Sequence, residues 1–149
     1  MELSSLEEIL RFAIRKEADA AAFYRMAADR SNPGVKKIFE KLAVQEEGHR
    51  KRLEEFDPKK VKKMKLEKTG GLGIAEWVDD VPYSSDMSYA DVLKMAIKNE
   101  EKSEHLYTSM AHSVTDAALK KLLIVLSQEE TKHKKRLEQI YDDEVLTEF

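Results

Sequence analysis

Polar and apolar positions along this chain recur with the period of a helix. Leu6, Leu10, Ala13, Glu17, Ala20, Tyr24 and Ala27 fall at steps of four and three residues, and Val35, Phe39, Leu42, Glu46, His49, Leu53 and Phe56 repeat those steps. A third run, Tyr89, Leu93, Ala96, Glu100, Ser103, Tyr107 and Met110, and a fourth, Leu119, Leu123, Leu126, Glu130, His133, Leu137 and Ile140, do the same. A sustained 4-3 pattern lays one stripe of each helix against its neighbours, which predicts an all-α four-helix bundle. The helices are expected at about 5–30, 33–56, 89–112 and 116–142.

Local signals mark the ends. Ser4 and Ser5 stand three residues before Glu7 and Glu8, the spacing of a capping box. Asn32-Pro33 separates the first two runs, Ser88 with Asp91 can cap the third, and Thr115 or Asp116 can open the fourth. The short joints near 31–32 and 113–115 predict two antiparallel hairpins. Residues 57–87 contain Pro58, Gly70, Gly71, Gly73 and Pro82, so they cannot form one continuous helix. Their length suits a crossover along a helix of roughly 38 Å, giving an up-down-down-up order. Ile74, Trp77 and Val78 are expected to pin it to the bundle or to another subunit.

The two halves repeat each other. LAVQEEGHRKRLE (Leu42–Glu54) returns as LSQEETKHKKRLE (Leu126–Glu138), and AIRKEADAAAFY (Ala13–Tyr24) as AIKNEEKSEHLY (Ala96–Tyr107). The stripes turn Glu17, Glu46, His49, Glu100, Glu130 and His133 inward at about one depth. Glutamate is almost never fully buried unless paired, and clustered carboxylates cannot all stay ionised. Two divalent ions would balance four carboxylates, and i, i+3 spacing sets Glu and His on one helix face. Oxygen-rich ligation with one imidazole per ion suits two iron or manganese ions better than copper or thiolate-loving zinc. A purely structural polar layer is the competing reading.

Composition narrows the classes further. The chain has 149 residues, enough for one domain spanning 1–149 with a real core. With no cysteine, there is no disulfide framework, thiolate site or cysteine nucleophile. Basic and acidic residues nearly cancel, 26 against 29, so net charge points to no particular partner. Charged residues reach 37%, which suits long exposed helices or surface ion-pair networks. The first residues show no secretory leader and no apolar run is long enough for a membrane span, so a cytoplasmic protein is expected, with no membrane partner. KKVKKMKLEK (Lys59–Lys68) carries six lysines in ten residues. No aromatic interleaves the run, so it reads as a solvated segment and no nucleic-acid partner is expected.

The sixfold Glu/His pattern resembles the ferritin-like diiron-carboxylate superfamily, and within it the rubrerythrin-type bundle. The resemblance covers nearly the whole chain and is specific for fold and metal site, far less so for reaction. It implies that Glu17, Glu46 and His49 serve one metal and Glu100, Glu130 and His133 the other, with Glu46 and Glu130 bridging. The implied activity is reduction of hydrogen peroxide or dioxygen by a non-haem diiron site, two ferrous ions meeting the two-electron demand of O–O cleavage. Full-length rubrerythrins carry a four-cysteine rubredoxin domain absent here, so an external electron donor such as a rubredoxin-type protein is expected. They also place an extra Glu where this stripe has Ser103; Glu104 is the neighbouring alternative as an additional ligand. A homodimer or higher homo-oligomer is expected.

Around the ligands, the hydroxyls of Tyr24 and Tyr107 could donate to a ligand carboxylate or to bound peroxide, an ordinary core role being the alternative. Glu129 could accept from the far ring nitrogen of a ligating histidine, with Gln45 as its counterpart in the other half. His105 and His112 fall off the stripe and read as surface residues. Iron storage at a ferroxidase-type site, oxidation of an organic substrate, and a metal-free bundle are the alternative functions.

Overall fold

A computed structural model describes residues 5–56, 58–63, 84 and 86–146. Among these, four long helices form the bundle: α1 (Leu6–Asp29), α2 (Pro33–Glu54), α4 (Tyr89–Ser113) and α5 (Ala117–Glu144), with a short α3 (Pro58–Lys63) after α2.

Each of the four long helices begins where a side chain can take up an orphan backbone N–H. Ser5 accepts from the amide of Glu8, Asn32 from Val35, Ser88 from Asp91 and Asp116 from Leu119. Asp116, rather than Thr115, is therefore the cap of the last helix. Pro33 sits in the first turn of α2, where its missing N–H costs nothing. α3 occupies the start of the expected crossover and packs on α1, burying Val61. Ile74, Trp77 and Val78, expected to pin the crossover, lie outside the described residues, as does the latter part of the lysine run.

α1 packs along α2, and α4 along α5. Direction across the pairs follows from side-chain bonds. Tyr107 late in α4 bonds Glu17 early in α1, and Tyr24 late in α1 bonds Glu100 early in α4, so these helices are antiparallel. Gln45 of α2 meets His133 of α5 while Arg52 meets Glu129, so these two are antiparallel as well. The order is up, down, down, up.

The core falls into two apolar clusters. One gathers Leu6, Leu10, Leu53, Met110, Leu119 and Leu123 at the end where α1 and α5 begin. The other gathers Phe39, Leu42, Leu93, Leu137 and Ile140 at the opposite end. The buried residues of α2 and α5 are the predicted stripes with little added. α1 and α4 differ: Ile9, Phe12, Lys16 and Phe23 on α1, and Met95, Lys102 and Leu106 on α4, are buried outside the stripe. These two helices carry a wider buried surface than a single 4-3 seam describes.

Candidate metal centre

Between the apolar clusters lies a layer of polar side chains on four helices. Glu17 comes from α1, Glu46 and His49 from α2, Glu100 from α4, and Glu130 and His133 from α5; none is more than 7% exposed. The i, i+3 step puts each Glu and His of α2 and α5 on one face. All six inward-facing residues of the sequence reading are therefore brought together.

They form two overlapping groups. Glu17, Glu46, His49 and Glu130 each offer an atom within 4.8 Å of the others, and so do Glu46, Glu100, Glu130 and His133. Glu46 and Glu130 belong to both. Nδ1 of His49 lies 2.9 Å from Glu130 and 3.5 Å from Glu17 and Glu46. Nδ1 of His133 lies 3.0 Å from Glu46 and 3.6 Å from Glu100 and Glu130. The two imidazole rings stand nearly parallel, 5.7 Å apart. Glu104 is half-buried and belongs to neither group, while Ser103 is buried on the α4 stripe.

Outer atoms of the ligand side chains are engaged and inner ones are not. The Tyr24 hydroxyl donates to Oε1 of Glu100, and the Tyr107 hydroxyl to Oε1 of Glu17. Each tyrosine thus serves the carboxylate of the other half. Nε2 of His49 is 2.8 Å from Glu129, and Nε2 of His133 is 2.9 Å from the Gln45 amide oxygen. Facing the centre, Oε2 of Glu17 and Glu100, Oε1 of Glu46, both oxygens of Glu130 and both histidine Nδ1 atoms are buried without a hydrogen bond. Native proteins rarely leave buried polar atoms so, and these are acceptors converging on shared space. The donor set fits a pair of divalent cations.

The electrostatics agree. Burial, then repulsion from Glu100 and Glu17, pushes the Glu46 carboxyl well above the ordinary range. Burial, then repulsion from Glu100 and Glu46, does the same to Glu130. For Glu100, burial also pushes upward, but contact with His133 and the bond from Tyr24 outweigh it and hold the group low. Burial pulls His49 down, yet Glu17, Glu46 and Glu129 together leave it raised. Burial and the nearby carboxylates push both tyrosine hydroxyls up, so they remain proton donors. Without a cation, burial and mutual repulsion favour the protonated forms of Glu46 and Glu130.

Sequence reasoning placed Glu129 beside a histidine without saying which. It serves His49 on the neighbouring helix rather than His133 on its own. The contact of Arg52 with Glu129, 3.2 Å, was not foreseen; only the antiparallel register of α2 and α5 creates it. His105 and His112 are exposed, as their off-stripe positions predict. No described helix is long and apolar enough to cross a membrane.

The sequence model of the rubrerythrin family matches residues 8–71 and 91–148. Among solved structures, a Thermotoga maritima protein described as ferritin-like and diiron-carboxylate superposes with a TM-score of 0.73 at 22% identity, covering 97% of this chain and 98% of its own. A hypothetical protein from Pyrococcus furiosus superposes with a TM-score of 0.71 at 25% identity, covering 93% of this chain and 89% of its own. No curated protein matches significantly.

Proposed function

The chain belongs to the rubrerythrin family, and from that premise and the geometry of its centre we propose that it is a non-haem diiron oxidoreductase. Its substrate is hydrogen peroxide or dioxygen, and its electrons come from a separate donor protein. The observation that carries the reading is the pair of overlapping Glu/His groups sharing Glu46 and Glu130, with their inner atoms free of hydrogen bonds in a buried layer.

When bound, two iron ions supply two electrons, the number needed to cleave a peroxide O–O bond. The protein's own part is binding and positioning. Glu17, Glu46 and His49 would hold one ion, and Glu100, Glu130 and His133 the other. Neither oxygen of Glu130 makes a hydrogen bond, and Glu130, like Glu46, belongs to both groups and would be available to either ion. Tyr24 and Tyr107 fix one oxygen of Glu100 and of Glu17 and leave the other pointing inward. Their raised hydroxyls stay protonated, so each can donate a hydrogen bond without losing a proton to its carboxylate. Apolar clusters rich in leucine flank the layer on both sides.

Anaerobic titration of metal-stripped protein with ferrous iron tests this reading, following bound iron per chain and melting temperature. Two irons per chain with a rise in melting temperature are expected, because a ligand selective for the folded state stabilises it. Peroxide added with a chemical reductant should then be consumed over many turnovers. Iron accumulating well beyond two per chain, with no sustained peroxide consumption, would instead establish a storage protein.

A further inference from the structure

We propose that the two metal positions are unequal: Glu129 makes the position built on His49 the tighter of the two. The inference rests on the dinuclear reading above and deepens it.

The inner set is nearly symmetric between the halves. Each position has one terminal glutamate, one histidine and a share in Glu46 and Glu130. Each terminal glutamate receives one tyrosine hydroxyl from the opposite half. Each histidine turns Nδ1 inward and Nε2 outward, toward the helix facing its own. The symmetry breaks one atom further out. The partner of His49 Nε2 is the carboxylate of Glu129, whereas the partner of His133 Nε2 is the neutral amide oxygen of Gln45.

Both outer acceptors select the same tautomer, with the proton on Nε2 and the lone pair on Nδ1. They differ in what they add to that lone pair. A carboxylate beside the outer N–H raises the basicity of the imidazole and brings negative charge near the cation; an amide fixes the ring but adds no charge. The Glu129 oxygen that faces His49 is also held by the Arg52 guanidinium at 3.2 Å. That contact fixes the carboxylate's position on a surface where it is one-third exposed. Gln45 is exposed. Glu129 is therefore a positioning residue acting through His49, and its counterpart does only part of the same work.

The two positions should fill in order. Titrating metal-free protein with cobalt(II), followed by bound ion per chain and visible absorption, should give two resolved steps. His49→Ala should remove the tighter step and His133→Ala the weaker. Glu129→Gln, which gives both histidines an amide partner, should weaken the tighter step by about 10–100-fold and bring the two together. Gln45→Glu should tighten the weaker step, a gain that damage to folding would not produce. Equal affinities in the unmodified protein would overturn the proposal while leaving the dinuclear centre intact. Two steps that neither Glu129→Gln nor Gln45→Glu moves would overturn it in the same way. Failure to bind any cobalt would refute the dinuclear reading and this inference together.

Discussion

The ends and the middle of this bundle are held by different physics. At one end Leu6, Leu10, Leu119 and Leu123 touch one another, and at the other Phe39, Leu42, Leu93 and Leu137 do the same, so every contact is satisfied by its neighbour. In the middle, four carboxylates and two imidazoles are equally buried, and their inner atoms are left without hydrogen bonds. Burying a leucine-sized side chain contributes about 1.5–3 kcal/mol, whereas Glu46 and Glu130, pushed up by burial and by neighbouring carboxylates, cost stability until they are protonated or bound to a cation. The ends therefore define the fold, and the middle gives up stability for binding capacity. The tyrosines join the two regimes. Their rings pack in the apolar clusters while their hydroxyls reach the layer.

The largest test of this contrast replaces the two shared carboxylates. Glu46→Met combined with Glu130→Met removes the crowding at the centre and the residues common to both positions. The metal-free variant should be as stable as the parent or more stable by up to about 4 kcal/mol. It should also lose the metal-dependent stabilisation, about 5 kcal/mol for two ions each at one hundred times its Kd. Denaturant melts with and without metal check both. A variant still stabilised by metal as strongly as the parent would show that the layer is not where the ions bind.

A somewhat smaller effect is expected at an apolar end. Leu123 is fully buried, and Leu123→Ala should cost about 2–5 kcal/mol through lost burial and a cavity. The contrast predicts the same loss in metal-free and metal-loaded protein, since the site is separate from the layer. A cost that changes greatly on metal addition would mean that ends and middle are coupled.

The smallest effect is a pH dependence of the metal-free protein. Glu46 and Glu130 are raised above the ordinary 4.5, so the folded chain holds more protons than the unfolded one from there up to their folded values. Their contribution is full below that window and is lost as pH rises through it. His49, raised above 6.5, has the same sign, its contribution being lost as pH rises through its folded value. Glu100, lowered below 4.5, acts oppositely: its contribution is present above 4.5 and lost as pH falls through its folded value. The site therefore favours the metal-free fold most in mild acid. Metal should bind more tightly as pH rises, because the ions displace the protons on Glu46 and Glu130. Melting temperature against pH, with and without metal, should show opposite slopes towards neutrality. A metal-free protein that gains stability steadily over about pH 5–8 would contradict the assignment.

Much of this was legible before any coordinates. The 4-3 stripes marked the four long helices, because a helix buries residues three and four apart and little else in α2 and α5. The repeated Glu-x-x-His segments, read with those stripes, turned six ligand-type side chains to one depth. Less legible were the wide buried surfaces of α1 and α4: Phe12, Phe23 and Met95 sit off the seam, and a single stripe does not reveal a second packing face. The tyrosines were legible as core residues near the layer. That each would bond the glutamate of the opposite half depended on the pairing of α1 with α4.

What the sequence by itself determined was therefore periodic and local: the four long helices, roughly where each begins and ends, and which stripe of each faces inward. These follow from spacing along one helix, which the order of residues fixes directly. What only the tertiary structure decided was relational: that Tyr24 serves Glu100 and Tyr107 serves Glu17, and that Glu129 stands behind His49 rather than His133. Those partners lie on different helices, and the register between helices is set by side-chain packing over the whole interface, which no single stretch of sequence contains.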